Sequence, residues 1–254
     1  GIGGRIEFNT KKATALDEPV LKFKYDTQYN EYSKSGNNPK YSLTYGDKIT
    51  ENFGAIFGYT FQSKDIVSNN NEVGYEPWAV DSNGNKYLAR DWEMRFYDLT
   101  REREGMTIDM DFEYSPNTSF FANYLFNEYV DDEIRHKDEY RARNVVESSI
   151  TSTSAAYQRI TADKETRKRI ETRQIKTQIV GGETNLGDLN FKFQASNSFA
   201  EEADDNNVDA KFRSECRIRE GDEICGTYNW SNPQFIDLVL APAAADLSLI
   251  HISE

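Results

Sequence analysis

Residues 106–126 read MTIDMDFEYSPNTSFFANYLF. Met106, Ile108, Met110, Phe112 and Tyr114 alternate with Thr107, Asp109, Asp111 and Glu113. A period of two marks a strand with one face toward an apolar phase. The turn Ser115–Ser119 follows, then an aromatic run from Phe120, so a hairpin is expected. The same pattern recurs at Leu21, Phe23 and Tyr25, at Tyr41, Leu43 and Tyr45, and at Ala55, Phe57, Tyr59 and Phe61. Trp92, Met94 and Phe96 open another strand. Leu189, Phe191, Phe193 and Ala195 form a further one. Residues 168–185 read as a strand whose phase slips between Ile170 and Ile175, which predicts a bulge.

The connections between these runs alternate in length. Short ones are expected at 47–52, 115–119 and 185–188, and long polar ones at 63–89, 131–167 and 200–235. Loops above about 12–15 residues are uncommon in compact soluble domains. Short turns on one side and long loops on the other are the habit of outer-membrane barrels. The expected fold class is therefore all-β: an antiparallel meander of about eight strands, part of a transmembrane β-barrel with long extracellular loops. A soluble antiparallel β domain is the alternative. It would point Phe23, Phe57, Met110 and Phe191 into one closed core, where the barrel would turn them all outward.

Composition narrows this. The 254 residues carry 43 Asp and Glu against 30 Lys and Arg, a net charge of −13. That balance argues against a nucleic-acid partner. Aromatics make up 13% of the chain, which argues for a folded rather than a disordered protein. No apolar run reaches the roughly 18 residues of a membrane-spanning helix, whereas a spanning barrel leaves no such run. The last residues, from about Ala243, resemble translated adapter sequence and are expected to be a non-native tail.

The N-terminal stretch GIGGRIEFNTKKA resembles the end of the plug domain of TonB-dependent outer-membrane receptors. In that family a Gly-Gly pair precedes a short strand ending in Thr-Lys or Thr-Arg. Gly3-Gly4, Arg5–Phe8 and Thr10-Lys11-Lys12 occupy those places. EYSPNTSFFANYLFNEYVDDEIR (113–135) and KTQIVGGETNLGDLNFKFQASNSFAEE (176–202) resemble strand-turn-strand units of such a barrel. The resemblance implies the end of a plug at 1–12, a linker at 13–19, the first part of the barrel at 20–242 and the tail at 243–254. The residues present hold no TonB box and about eight of the roughly 22 strands of a plugged transporter, so the expectation is a slice of a longer receptor.

It also implies an activity. Such a receptor takes up a scarce solute across the cell outer membrane, driven by the inner-membrane TonB complex acting on the plug. A ferric siderophore, cobalamin, a nickel chelate or an oligosaccharide would all fit. The expected partners are outer-membrane lipid, the TonB complex and a small solute. No enzymatic step and no cofactor is implied. Two alternatives stay open: a secreted carbohydrate-binding module, and an unplugged porin-type barrel, which does not account for the N-terminal motif.

Few residues invite chemistry. Eight residues separate Cys216 from Cys225 in CRIREGDEIC. In an oxidising compartment that spacing suits a disulfide around Gly221-Asp222, worth about 2–3 kcal/mol for so short a loop; two free thiols are the other reading. Neither His136 nor His251 offers a metal cluster with them, so no metal is expected. Tyr75, Trp78, Tyr87, Tyr228 and Trp230 are the candidates for a ligand surface in the loops, against a plainer role in loop packing or an aromatic belt. Asp109, Asp111 and Glu113 on one strand face suggest a wetted lumen wall or a contact with the plug rather than a catalytic set. Gly181-Gly182 lacks the Lys-Ser/Thr and the helix of a phosphate loop.

Overall fold

The computed structural model describes residues 12–244 apart from 37, 75–77, 90, 233–234 and 243. The plug-like motif at 1–11, Tyr75, His251 and the tail apart from Ala244 lie outside the described residues; Ala244 is buried in the core of the chain. The chain is all-β and antiparallel, with two single-turn 3₁₀ helices at Ala13–Ala15 and Glu147–Ser149. Among the described residues no helix is long and apolar enough to cross a membrane.

In chain order the strands are β1 (Val20–Thr27), β2 (Pro39–Thr50), β3 (Phe53–Val73), β4 (Trp78–Val80), β5 (Lys86–Leu88), β6 (Asp91–Ser115), β7 (Thr118–Val145), β8 (Ser154–Leu186), β9 (Leu189–Arg217), β10 (Gly226–Asn232) and β11 (Phe235–Leu240). The main sheet runs β1-β2-β3-β6-β7-β8-β10-β11, with β9 also paired to β8, and β4-β5 form a separate two-stranded sheet. The hairpins β1-β2, β2-β3, β6-β7, β7-β8, β8-β9 and β10-β11 pair chain neighbours, as the alternation of connections predicts, whereas β3 pairs with β6 and β8 also with β10. The turns at 51–52, 116–117 and 187–188 are tight.

The expected long loops are largely strand. β3 continues to Val73, β7 to Val145, β8 starts at Ser154, and β9 runs on to Arg217. Apolar side chains there, such as Ile134, Tyr140, Tyr157, Ile160, Val208 and Phe212, are sparse and out of step, so the apolar period that reveals a strand is weak. Sheet hydrogen bonding comes from the backbone and does not require that period.

The chain divides into two compact units. Unit 1 gathers the described residues of Gly1–Ile66, Leu99–Asp132 and Ile170–Asp205; unit 2 gathers those of Val67–Asp98, Glu133–Arg169 and Asn206–Glu254.

In unit 1 the register sets rows of apolar side chains. Leu21 lies opposite Tyr45, and Tyr45 opposite Phe57; Phe23, Leu43 and Tyr59 form the next row, and Tyr25, Tyr41 and Phe61 the third. Residues directly opposite share a face, so these nine side chains form one patch. Tyr41 stacks on Phe61 at 5.2 Å between ring centres.

Unit 2 holds the buried core. Trp92, Tyr157, Ile160, Cys216, Cys225, Tyr228, Trp230 and Ile236 cluster with Leu88 of β5 and the small residues Ala142, Ala155 and Ala162. Tyr157 is fully buried, and its hydroxyl donates to the Leu88 carbonyl. Trp230 donates its Nε1–H to Ser152 O at 3.0 Å, which ties the connection between β7 and β8 to the core.

Candidate functional site

In unit 1, strand alternation and a few close contacts separate two faces. A Cβ on Gly58 would meet Thr107 Oγ1, and one on Gly105 would meet Thr60 Oγ1 and Asn127 Oδ1. Gly58, Thr60, Gly105, Thr107 and Asn127 thus share one face. Asp109, Asp111 and Glu113 follow Thr107 onto it, and Met110, Phe112 and Tyr114 join Phe57, Tyr59 and Phe61 on the other.

That second face is apolar and open. Leu21 is 71% exposed, Phe23 67%, Phe112 40% and Phe191 51%. Phe120 and Phe193 meet edge to face at 6.2 Å. Phe23, Met110 and Phe191 do not enter the buried cluster, which lies in unit 2. Gly181 and Gly182 have a packing role: a Cβ on the first would strike Phe121 Cζ at 2.6 Å, and one on the second Phe120 and Phe193 at 2.9 Å. Aromatic rings cover the two glycines, one on each face of β8.

The polar face is partly occupied by the chain itself. Asp111, only 8% exposed, accepts hydrogen bonds from the backbone N–H of Ala13 at 2.6 Å and of Thr14 at 2.8 Å. Thr14 Oγ1 donates to Glu113 Oε1 at 3.3 Å. A Cβ on Gly54 would sit 2.6 Å from the Ala13 carbonyl carbon, so only glycine lets this segment lie so close to β3. Asp111 and Glu113 thus anchor the segment that the sequence marks as a linker.

The aromatic ligand candidates fall in unit 2. Trp78 on β4 is half exposed and lies edge-on to Trp230 at 5.6 Å. Tyr87 packs partly buried against the core. Tyr228 is fully buried, edge-on to Tyr157 at 5.4 Å, and Trp230 is buried beside it. The Tyr228 hydroxyl has no hydrogen-bond partner among the described residues and is sealed from solvent. Trp78 is therefore the one described candidate with a substantial free ring face.

Cys216 and Cys225 are bonded, with an S–S distance of 2.06 Å. Their placement explains the excursion between them. Ile218 N–H donates to Gln158 O, and Cys225 N–H donates to Tyr157 O, each at 2.8 Å. The chain thus leaves the edge of β8 at Gln158 and rejoins it one residue along, where Gly226 pairs with Tyr157. β9 and β10 are one strand interrupted by a loop, and the disulfide closes its base.

A lattice of ion pairs in unit 2 is not visible as a motif in the sequence. Glu133, Arg135, Lys137, Glu139, Arg141 and Arg143 occupy alternate positions of β7. Glu133 meets Arg167 at 2.6 Å, Lys137 bridges Glu139 and Glu165, and Arg135 also pairs with Glu165. Asp163, whose side chain is fully buried, takes Arg213 at 2.6 Å, Lys211 at 3.0 Å, and Arg141. Burial by itself would raise the Asp163 carboxyl, but hydrogen bonds from Arg213 and Lys211 and the nearby Arg141 outweigh it and bring the carboxyl to about 2. Glu165 is likewise lowered: burial opposes the shift, and Lys137 and Arg135 prevail. The available signal was a charge at every odd position along 133–143, which matches a strand, but Asp138 and His136 interrupt the apolar positions Ile134, Tyr140 and Ala142 on the other parity.

His136 donates to or accepts from Thr166 at 2.9 Å, and among the described residues no group of His, Cys, Asp and Glu could hold a metal ion. No protein-family model matches the chain, and no curated protein matches it.

Proposed function

We propose that the chain is part of an outer-membrane barrel of the TonB-dependent receptor type, whose full-length form takes up a scarce solute. One observation carries this reading: the contiguous exposed apolar face of unit 1, from Leu21, Phe23 and Tyr25 to Phe112, Phe191 and Phe193, backed by a polar opposite face. Soluble proteins rarely leave apolar patches of this extent uncovered. A barrel wall turns such a face to lipid and keeps the polar face for its lumen.

The anchoring of Ala13 and Thr14 on Asp111 supports the plug reading over an unplugged porin. A plug's last residues have to leave along the lumen wall, and this is the polar face. In the proposal the twin edges of the unit 1 sheet, β1 and β9, pair with further strands, because an open edge has no place in lipid.

The test compares insertion into phospholipid vesicles. Phe112→Arg and Phe191→Arg place a cation on the apolar face, at a cost that rises from about 0–1 kcal/mol at the interface to about 2–4 kcal/mol at the bilayer midplane. Both should lower the inserted, protease-protected fraction, while Asn123→Arg on the polar face should not. Equal insertion of all variants, or full folding in water without lipid, would reject the membrane reading in favour of a soluble β domain. Steady ion conductance of the full-length protein in a planar bilayer would favour the porin-type barrel instead.

A further inference from the structure

We propose that the cleft walled by Arg141, Arg143, Arg159, Thr161, Arg213 and Glu215 in unit 2 binds a free oxyanion, a phosphate or carboxylate group carried by a soluble molecule. The cleft holds about 200 Å³, room for one charged group rather than for a whole large ligand. Four guanidinium groups reach it from β7, β8 and β9, and Glu215 is the single acid in its lining.

These guanidinium groups are held in place. Asp163 accepts from Arg213 Nε at 2.6 Å and Nη2 at 2.9 Å, and from Arg141. Arg143 donates to Asp91 at 3.0 Å and to the Ala142 carbonyl at 2.7 Å. Arg159 donates from Nε to Glu215, which leaves its two Nη groups for another acceptor. A guanidinium carries five N–H donors in a rigid fork that matches phosphate and carboxylate oxygens. Fixing the forks in advance removes most of the ordering cost of binding.

The charge balance points the same way. One buried carboxylate, Asp163, pairs with three cations, Arg141, Lys211 and Arg213, so positive charge remains around it. Glu139, Asp91 and Glu215 offset part of that charge. The chain as a whole is strongly acidic, so general electrostatics would repel an anion and a local site has to supply the attraction. On β7, alternation places Arg141 and Arg143 on the face opposite Ala142, which lies in the core. The inference stands independently of the membrane reading.

Titration of the full chain with inorganic phosphate, by calorimetry at constant ionic strength, tests it. Saturable one-site binding is expected, weakened about tenfold or more in an Arg159→Gln, Arg213→Gln double variant. Arg173→Gln in unit 1, which breaks pairs with Glu171 and Glu202, should leave binding unchanged. Glu215→Gln should tighten binding several-fold, a gain that unfolding cannot imitate. A linear, unsaturable response, equal binding by the double variant, or no gain from Glu215→Gln would overturn the proposal. Vesicles of phosphatidylglycerol in phosphatidylcholine should not displace the phosphate; displacement would assign the site to lipid headgroups and overturn the free-anion reading.

Discussion

Unit 1 and unit 2 are built from the same material and treat it in opposite ways. Both use long antiparallel strands with aromatic residues at alternate positions. In unit 1 the aromatics form exposed rows: Phe23 is 67% exposed and Tyr114 69%. In unit 2, Tyr157 and Tyr228 are fully buried, and Trp92 meets Tyr228 edge to face at 6.5 Å. Unit 2 adds the β4-β5 pair, the β7-β8 connection and the β10-β11 hairpin, and these supply core residues such as Leu88, Trp230 and Ile236. Among the described residues unit 1 lays the segment around Ala13 on its polar face and the 28–38 connection against Asp65, and neither covers its aromatic rows. An alternating pattern thus states that a strand has an apolar side. Whether protein covers that side depends on which other segments return to it.

The sharpest way to break this contrast is to truncate one aromatic in each unit. Tyr157→Ala removes a fully buried ring and its hydrogen bond to Leu88, and should cost about 4 kcal/mol in a denaturant melt of the refolded chain in detergent. Phe23→Ala should cost less than about 1 kcal/mol under the same conditions, since its ring is mostly exposed. Comparable losses would mean that both faces are covered and that the two units do not differ as described.

A second test uses the ion-pair lattice. Asp163→Asn leaves Arg141, Lys211 and Arg213 around an uncharged group and should destabilise unit 2 by about 3 kcal/mol near neutral pH. The Asp163 carboxyl titrates near 2 when folded, against an ordinary value of 3.8. Its stabilisation is therefore complete above the ordinary value and is lost as pH falls through the window toward 2. Urea melts of wild type and variant should converge as the pH is lowered from 6 to 2. A gap that stays constant over this range would show that charge is not what Asp163 contributes.

The smallest expected effect is from the disulfide. Reduction of Cys216–Cys225 releases a loop of eight intervening residues and should cost about 2–3 kcal/mol. Hydrogen exchange should then quicken at Cys225 and Ile218, whose N–H groups bond to β8, while β1 and β2 of unit 1 keep their protection. Faster exchange throughout unit 1 would mean that the two units unfold as one.

Much of this fold is legible in the sequence wherever one strand face is apolar. The runs at 21–25, 41–45, 55–61, 106–114 and 189–195 all lie in strands, and the turns at 51–52, 116–117 and 187–188 fall within the expected short connections. The outer halves of β7, β8 and β9 escape such a reading because their apolar positions are sparse, interrupted by charges and out of step along the strand. Left-handed Asn206 (φ 55°) adds to the difficulty: apolar positions on β9 are odd at Phe191, Phe193 and Phe199 and even at Val208 and Phe212, so no single period spans it. The arginine cleft was hidden for a related reason. Its residues come from positions 141–143, 159–161 and 213–215, and only strand pairing brings them together.

The sequence by itself determined the strands with one apolar face, their alternating faces and the hairpins at the tight turns, because period-two patterning and short turns act over a few residues. Tertiary structure alone decided three things: which aromatics are covered, which charges meet, and where Asp111 finds its partners. Those depend on contacts between positions far apart in the chain, such as Ala13 with Asp111, Leu88 with Tyr157 and Asp163 with Arg213. A buried carboxylate or ring is stable only when such a distant partner supplies its hydrogen bond or covers its surface, and no local pattern encodes that supply.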